Sequence, residues 1–441
     1  MTLTYLITGG TTPDGLQTDV AIDTDGNIAH LGQGLPVEAQ HTLDASGKIV
    51  LPGLVDLHTH LREPGNDDAE TVETGTQAAA KGGFTAVHAM ANSNPVADTA
   101  GVVEQVYRLG REAGWTDVYP VGAVTVGLAG QRLAEISAMH DSAAQVSMFS
   151  DDGMCVWDPV LMRRALEYVK SFDGFIAQHA QEPRLTEGAQ MNESALSSEL
   201  GLAGWPAVAE ESIIARDVLL AQHVDSRVHI CHVSTAGSVE LIRWAKSQGI
   251  HVTAEVTPHH LLLTEDYVKT YDPVYKVNPP LRKDSDVLAL RQGLADGTID
   301  TVGTDHAPHT AESKQCEWVV AAMGMTGLET ALPVIQHTMV DTGLLDWHGV
   351  ARVMSANPAR IYRHEDQGQL SETGGLVEGA VANIAIYDPQ HTFVVNPTEH
   401  ASKSSNSPYN GMELSGQVTD VFYRGQRVVA DAQLMTPYRH T

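Results

Sequence analysis

The stretch Leu54-Val55-Asp56-Leu57-His58-Thr59-His60 is a short apolar run that ends in a pair of histidines. If the run is a strand, its side chains alternate between two faces, so both imidazoles point to the same side and can hold one cation together. Four further apolar runs end in the same kind of residue, at Asp151-Asp152, His179, His232 and Asp305. One histidine at a strand end is usually structural, but four histidines and at least two carboxylates on one kind of boundary predict a metal site.

The middle of the chain alternates apolar runs with amphipathic helical patterns, which predicts an α/β fold. Helical spacing of apolar residues is found, for example, at 100–113 and 212–223. Strands are predicted at 54–58, 85–90, 117–124, 146–150, 175–179, 228–233, 251–258 and 299–305. Eight strands that alternate with helices predict a TIM-like (β/α)8 barrel, in which the chemistry lies at the carboxyl ends of the strands. The polar clusters fall at those ends, on strands one, four, five, six and eight.

The two ends of the chain have a different character from the middle. Both contain short β-segments broken by turn residues such as Asp25-Gly26 and Arg424-Gly425. Neither end has enough strands to bury a sheet face alone. We therefore expect residues 1–50 plus 366–441 to form one small β-sandwich-like domain, and residues 51–365 to form the metal-dependent catalytic barrel.

Composition excludes several classes of function. The 441 residues include 55 acidic and 27 basic ones, a net charge of −28, which disfavours binding to nucleic acid and to anionic membranes. Three cysteines are too few for a disulfide scaffold and fit a reducing compartment. No apolar run is long enough to span a membrane, and the first residues lack a secretion signal, so we expect a cytoplasmic protein.

The ligand types narrow the choice of metal. Imidazole and carboxylate ligands suit zinc, manganese or cobalt better than calcium or magnesium. Four histidines and two carboxylates exceed the three protein ligands of a mononuclear catalytic zinc site, and they suffice for two ions if one carboxylate bridges. Two such ions can hold a hydroxide between them and polarise a carbonyl group. Other histidines near strands are assigned structural roles: His88, His229, His251, His259 and His260.

Longer motifs surround these residues in a fixed order. They include Pro52-Gly53-Leu54-Val55-Asp56-Leu57-His58-Thr59-His60-Leu61-Arg62-Glu63-Pro64-Gly65, Ser150-Asp151-Asp152-Gly153, Cys231-His232-Val233-Ser234-Thr235, Lys276-Val277-Asn278-Pro279-Pro280-Leu281-Arg282 and Gly303-Thr304-Asp305-His306-Ala307-Pro308-His309. This ordered set, which covers nearly the whole chain, resembles the motifs of class I dihydroorotases of the bacterial type, in the amidohydrolase superfamily.

The resemblance implies reversible, zinc-dependent cyclisation of N-carbamoyl-L-aspartate to L-dihydroorotate, a step of de novo pyrimidine (UMP) biosynthesis. It implies two Zn²⁺ per chain, bridged by Asp152 and a hydroxide. One ion would be held by His58 and His60 together with Asp305, and the other by His179 and His232. Asp305 would also be the catalytic residue, which takes the proton of the hydroxide and delivers it to the ring nitrogen.

The residue that bridges the metals differs within the superfamily, and many members use a carboxylated lysine on strand four. No lysine lies between Val146 and Pro159 in this chain, so a carboxylate must take that place. Asp152 is preferred to Asp151, because its distance along the chain to His179 fits the bacterial class I proteins.

The family's substrate-binding positions also have counterparts in this chain. Arg62 can grip a carboxylate through paired hydrogen bonds, which lysine could not reproduce, although a surface ion pair with Glu63 or Asp67 is the alternative. Asn278 is placed at the ring edge, although a plain turn is the alternative. The polar segment 306–318 is expected to close over the substrate as a lid. The substrate-binding residues implied by the resemblance are His60, Leu61, Arg62, Asn92, Asn278, His309, Met323 and Gly324.

Two other functions stay open from the sequence alone. A hydantoinase, dihydropyrimidinase or allantoinase would share the barrel and the metals, but the missing strand-four lysine and the presence of Arg62, Asn92 and His309 disfavour it. A metal-free, non-catalytic homologue acting as a scaffold should have lost ligands, and all six positions are kept here. The expected partners are the small-molecule substrate (dihydroorotate or N-carbamoyl-aspartate), a second copy in a homodimer, and aspartate transcarbamoylase, with no nucleic acid and no membrane.

Overall fold

The computed structural model describes residues 2–363 and 376–440. Within them the strands, in chain order, are β1 Leu3–Thr11, β2 Gln17–Asp23, β3 Ile28–Gly32, β4 His41–Asp44, β5 Ile49–Pro52, β6 Leu54–Thr59, β7 Phe84–Ala89, β8 Asp117–Pro120, β9 Met148–Phe149, β10 Phe175–Gln178, β11 Met191–Asn192, β12 Gly204–Trp205, β13 Arg227–Ile230, β14 Val252–Val256, β15 Thr301–Val302, β16 Ile384–Val394, β17 Glu413–Tyr423, β18 Gln426–Ala430 and β19 Gln433–Leu434.

The helices of the described residues are α1 Val72–Lys81, α2 Ala100–Ala113, α3 Ile136–His140, α4 Pro159–Lys170, α5 Ala195–Leu200, α6 Val208–Val224, α7 Ala236–Ser247, α8 Pro258–Leu262, α9 Asp284–Asp296, α10 Ala311–Lys314, α11 Ala331–Ile335, α12 Trp347–Ala351 and α13 Asn357–Tyr362. Two π-helical turns, Gln336–Val340 and Arg352–Ala356, extend α11 and join α12 to α13. None of these helices combines the length and the apolar character that crossing a lipid bilayer requires.

Eight of the strands form a closed ring of parallel neighbours. One ladder contains β6, β7 and β8, and a second contains β9, β10, β13, β14 and β15. Parallel bridges between Gly122 and Phe149 and between Thr59 and His306 join the two ladders. All eight predicted strands are present, with helices between them, so the prediction of a (β/α)8 barrel is confirmed.

Local sequence explains how the barrel helices form and pack. In α4, the Asp158 side chain caps the first turn by accepting hydrogen bonds from Val160 N and Leu161 N, and Pro159 occupies the first helical position. Its apolar residues recur at helical spacing and are buried against the barrel: Met162, Ala165, Leu166 and Val169. Burying a side chain of the size of leucine or valine stabilises the fold by about 1.5–3 kcal/mol.

Both ends of the chain build a single sheet beside the barrel. Its strand order is β19-β18-β17-β16-β5-β1-β2-β3, and β4 pairs with β1. The antiparallel pairing of β5 with β16 joins the two ends, with Leu51 opposite Ala385. The prediction that both chain ends form one β-domain is thereby confirmed. The boundary predicted between residues 365 and 366 lies outside the described residues.

Candidate active site

The six predicted metal ligands lie together at the carboxyl ends of the barrel strands. His58 belongs to the end of β6 and His60 follows it, while the others come directly or shortly after four more strands: Asp152, His179, His232 and Asp305. All six side chains are buried. Because the strands are parallel and neighbouring, residues that are far apart in sequence meet at one edge of the barrel.

Three site residues have a left-handed backbone conformation. Arg62, His232 and Asp305 have φ values of 63°, 30° and 48°. This left-handed region is costly for residues with a Cβ atom and is tolerated mainly where the surrounding structure enforces it, as at functional sites. The sequence pattern gives no sign of this feature.

Asp152 occupies the centre of the cluster. Its Oδ2 atom lies 3.3 Å from Nε2 of both His58 and His60. Its Oδ1 atom lies 3.3 Å from His179 Nδ1 and 3.2 Å from His232 Nε2. Each oxygen of one carboxylate therefore faces its own pair of histidines, and the two triads His58–His60–Asp152 and Asp152–His179–His232 each have ligand atoms within 4.8 Å of one another.

Asp305 and Asp151 have different surroundings. Asp305 lies beside the first histidine pair, with Oδ1 at 3.1 Å from His60 Nε2 and 3.5 Å from His58 Nε2. Asp151 faces the loop that follows β8, where its Oδ1 atom accepts hydrogen bonds from Val124 N at 2.8 Å and Thr125 N at 2.9 Å. Its Oδ2 atom accepts a hydrogen bond from the Thr125 hydroxyl. Of the two adjacent aspartates, Asp151 thus anchors a loop and Asp152 is the one that enters the cluster.

Glu255, on β14, is a buried residue that the sequence analysis missed. Its Oε1 atom lies 2.5 Å from His58 Nδ1 and accepts a hydrogen bond from His232 N at 3.2 Å, and its Oε2 atom lies 3.2 Å from His229 Nε2. When His58 donates from Nδ1, its Nε2 atom carries the lone pair and faces Asp152. The only signal in the sequence is a lone carboxylate in the apolar run Val252–Val256.

Asp56 is a second buried carboxylate to which no role was assigned. Its oxygens accept hydrogen bonds from His58 N at 3.0 Å, from Thr304 N at 3.1 Å and from the Thr304 hydroxyl at 2.5 Å. Burial raises the pKa of Asp56 to about 7, although the hydrogen bonds from Thr304 and His58 act in the opposite direction. Asp56 therefore joins the first barrel strand to Thr304, the residue that precedes Asp305.

The donor set and its electrostatics fit divalent cations. His58 Nε2 is buried and has no hydrogen-bond partner among the described residues, and His179 Nδ1 lies only 2.8 Å from His232 Nε2. Burial alone would lower the pKa of His58, but the charges of Asp152 and Glu255 hold it well above its ordinary value. The field between these side chains therefore favours positive charge, which two metal ions would supply.

The predicted carboxylate-binding residues lie beside the first histidine pair. Arg62 donates from Nε to Pro308 O at 3.0 Å, and its NH2 atom lies 3.4 Å from His309 Nε2. The predicted alternative for Arg62, an ion pair with Glu63 or Asp67, does not form in the described structure; their carboxylates accept main-chain hydrogens instead. Asn92 Oδ1 lies 2.9 Å from His60 Nδ1.

The remaining predicted substrate residues line the same mouth. Asn278 Nδ2 donates to Gln181 Oε1 at 3.1 Å, and that oxygen lies 2.8 Å from His179 Nε2. His309 Nε2 donates to Met323 O at 2.8 Å, and Gly324 N donates to Lys276 O at 2.9 Å. The Leu61 side chain belongs to the hydrophobic core, so only its main chain can face a ligand.

The histidines assigned structural roles are held apart from the cluster or support it. His88 Nδ1 lies 2.8 Å from Asp56 O, His229 bonds Glu255, and His251 is exposed at the surface. His260 bonds Thr257 Oγ1 at 2.8 Å and Pro279 O at 3.0 Å. His259 is buried, and its Nε2 atom has no hydrogen-bond partner in the described part of the chain.

Comparison with known proteins finds sequence similarity to dihydroorotases and structural similarity to a hydantoinase. A family model described as Dihydro-orotase-like matches residues 47–238. A dihydroorotase of Streptomyces coelicolor is 64% identical over 431 residues, which cover 97% of this chain and 99% of the relative. A dihydroorotase of Mycobacterium tuberculosis is 54% identical over 422 residues, covering 96% and 97%. Among solved structures, the L-hydantoinase (dihydropyrimidinase) of Arthrobacter aurescens has a TM-score of 0.88 at 26% identity, covering 99% of this chain and 98% of that one.

Proposed function

The chain belongs to the dihydroorotase family, and from that premise we propose that it interconverts N-carbamoyl-L-aspartate and L-dihydroorotate at the cluster around Asp152. The reaction closes or opens one amide bond of a ring, so the chain is a hydrolase of cyclic amides. The observation that carries the assignment of the site is that Asp152 presents one oxygen to each of two histidine pairs.

The ligand positions proposed for the metals follow from that geometry. His58 and His60, with Asp305 beside them, would hold one ion, His179 and His232 the other, and Asp152 would bridge. Zinc is the proposed metal, at two ions per chain, because its preferred ligands in proteins include imidazole and carboxylate groups. Bound there, the ions would polarise the carbonyl carbon that is attacked and lower the pKa of the attacking water.

Asp305 is the proposed acid–base residue. Its carboxylate borders the first histidine pair and lies at the barrel mouth, where the ring is expected to bind. In ring opening it would take the proton of the attacking water and deliver it to the ring nitrogen, because an amide nitrogen leaves poorly unless it is protonated. In ring closure the same carboxylate returns the proton in the reverse order.

Arg62, Asn92 and His309 are proposed to bind the substrate carboxylate, and Asn278 the ring edge. Burial and the positive charges of Arg62 and Lys314 lower the pKa of His309 to about 3, so this imidazole is neutral at physiological pH. Asn278 Oδ1 is buried and has no hydrogen-bond partner within the described residues. A buried acceptor without a partner costs about 1–3 kcal/mol, and a ring N–H group of the substrate would satisfy it.

The function is tested with zinc-replete protein and L-dihydroorotate, by following the loss of ring absorbance. We expect turnover of dihydroorotate and none of hydantoin, which serves as the control substrate. Hydantoin hydrolysis without dihydroorotate turnover would favour the hydantoinase alternative. Less than one zinc ion per chain after gentle purification, with no turnover, would favour the scaffold alternative.

The assembly, the compartment and the domain limits are also proposals. We propose a cytoplasmic homodimer that associates with aspartate transcarbamoylase, in which residues 1–50 plus 366–441 form the β-domain and residues 51–365 the catalytic barrel. Light scattering of the purified protein tests the dimer, and a titration with purified aspartate transcarbamoylase tests the association. A monomeric mass, or no complex in the titration, contradicts the respective proposal.

A further inference from the structure

Lys314, at the end of α10, is a buried lysine whose bonds within the described part of the chain all go to main-chain oxygens. Its Nζ atom donates to Ala322 O at 2.9 Å, Gly324 O at 3.0 Å and Lys276 O at 3.2 Å. Only 6% of the residue is exposed. No carboxylate takes part in these contacts, although the chain as a whole has a net charge of −28.

The three carbonyl groups belong to two segments that border the site. Lys276 precedes Asn278 in the segment between α8 and α9, and Gly324 lies in the segment between α10 and α11. The same two segments are joined directly by the bond from Gly324 N to Lys276 O at 2.9 Å. Lys314 thus cross-links the segment of Asn278 to the segment of Met323 and Gly324.

The chemistry of the side chain matches these acceptors only when it is protonated. An ammonium group has three N–H donors, one for each carbonyl, whereas a neutral amine has two donors and a lone pair. Burial of an ammonium group is costly, and a neutral side chain could make a cross-link of this kind at lower cost. The cross-link alone therefore does not account for a positively charged side chain at the buried position 314.

The charge acts on the proposed carboxylate subsite. His309 and Lys314 line one cavity, and burial and then the charges of Arg62 and Lys314 lower the pKa of His309. An electrostatic effect on His309 also extends to an anion that is bound beside it. Both forms of the proposed substrate carry at least one carboxylate, which a positive potential at this position would attract.

We propose that Lys314 is a positioning residue of the reaction, which in its protonated form holds the Asn278 and Met323–Gly324 segments together and adds positive potential at the substrate carboxylate. The identity of the substrate in this inference rests on the proposed function. Loss of the Lys314 proton removes one of three donors and the charge in a single step, so affinity for an anionic substrate falls.

The surroundings of Lys314 favour loss of its proton near neutral pH. Burial lowers the pKa of Lys314 to about 7, the positive charge of Lys276 acts in the same direction, and Asp272 and Cys316 act against it. His309 and Tyr275 are further titratable side chains, and they line one cavity together with Lys314. The ammonium form is therefore present below about pH 7 and lost above it, and KM for the anionic substrate should rise with pH across that range.

The kinetic test compares Lys314→Met with Lys269→Met in full-length, zinc-loaded protein. Lys269 is an exposed lysine paired with Asp266 at 2.6 Å, so its variant removes the same charge from the protein surface and leaves the three bonds of Lys314 in place. We expect Lys314→Met to raise KM for L-dihydroorotate about 10- to 100-fold below pH 7, with a smaller effect on kcat, and to abolish the rise of KM with pH. Lys269→Met should keep the wild-type profile. A Lys314→Met variant that keeps the wild-type pH dependence of KM overturns the inference.

A second variant covers the case in which Lys314→Met does not fold. Lys276 is a separate buried lysine whose Nζ atom bonds Trp318 O at 2.7 Å and Val319 O at 3.1 Å. Because its positive charge lowers the pKa of Lys314, Lys276→Met should move the rise of KM to higher pH. A profile that does not move contradicts the role given to Lys314.

Hydrogen exchange at the Gly324 amide tests the cross-link without substrate. This amide donates to Lys276 O, so its protection should fall in Lys314→Met and stay unchanged in Lys269→Met. If wild-type protein does not turn over dihydroorotate but this difference in exchange is found, the proposed function fails and the cross-link of the two segments by Lys314 stands. If turnover is found and the exchange of Gly324 does not change, the positioning role fails alone.

Discussion

At the scale of single residues, the chain distinguishes two adjacent aspartates by their hydrogen bonds. Asp151 is held by Val124 and Thr125, whereas Asp152 faces both histidine pairs. The preference for Asp152 could be stated from the sequence only through the family resemblance, because two neighbouring aspartates look alike in a sequence. The left-handed backbone of His232 and Asp305 could not be foreseen, because no glycine or turn motif marks it.

This difference predicts opposite outcomes for two alanine variants. Asp152→Ala removes the carboxylate that both histidine pairs share, so zinc content and turnover should be lost together. Asp151→Ala removes a loop anchor and should keep zinc while lowering stability by about 1–3 kcal/mol, because Val124 N and Thr125 N lose their acceptor. Zinc analysis by atomic absorption, together with thermal unfolding, checks both variants. Loss of zinc in Asp151→Ala but not in Asp152→Ala would reverse the assignment of the bridge.

A second prediction at this scale concerns Asp305. Asp305→Asn keeps the shape of the side chain but cannot accept a proton, so kcat should fall by about 10²- to 10⁴-fold while binding of dihydroorotate remains measurable. Single-turnover kinetics and equilibrium binding on the zinc-loaded variant separate the two effects. Equal losses in binding and in kcat would show that Asp305 acts mainly as a ligand or a structural group.

At the scale of secondary structure elements, the positions of the eight barrel strands could be predicted, but their lengths could not. The run 117–124 was predicted as one strand, and the ladder of β8 ends at Pro120. Beyond it, Val121 N bonds Ala89 O at 2.8 Å and Gly122 N bonds Met148 O at 3.1 Å, so the chain changes partners as the ring closes. After β15, Thr304 N donates to the side chain of Asp56 in β6 and not to a main-chain oxygen of that strand. Such changes depend on which strands are neighbours in the fold, and a local sequence pattern carries no information about that.

The role of β14 as a support for the cluster gives a prediction for Glu255. This strand places one carboxylate against His58, His229 and the main chain of His232, which belong to two other strands. Glu255→Gln keeps the size of the side chain but weakens its hold on the His58 Nδ1–H group, so zinc affinity should fall about 10- to 100-fold. Competition with a zinc-binding dye measures the affinity directly.

A matched control for Glu255 is Glu329→Gln. Glu329 is another carboxylate with a buried side chain, and it pairs with Lys81 at 3.0 Å away from the cluster. The control variant should bind zinc as the wild type does. An unchanged zinc affinity in Glu255→Gln would show that packing alone is enough to hold His58 in place.

At the scale of the whole molecule, only the fold explains how a strongly acidic chain can present a positively charged site to an anionic substrate. A net charge of −28 repels an anionic substrate, and the sequence indicated Arg62 as the one local anchor. The structure adds Lys314, which lies 252 positions away from Arg62 in the sequence and lines one cavity together with His309. The pairing of both chain ends could be predicted from their strand content, but the contact of β5 with β16 depends on register across the whole chain.

The proposed metals connect five of the eight barrel strands, which predicts their effect on the stability of the whole protein. Their ligands come from the ends of β6, β9, β10, β13 and β15, so the ions would bind the folded ring and have little affinity for the unfolded chain. A ligand present at 1,000 times its dissociation constant stabilises the folded state by about 4 kcal/mol, so a chelator should lower the Tm and added zinc should restore it. Differential scanning calorimetry of the zinc-loaded and chelated protein measures the shift. Asp152→Ala is the matched control, since its Tm should not respond to the chelator, and a wild-type Tm that is equally insensitive would mean that no ion connects these strands.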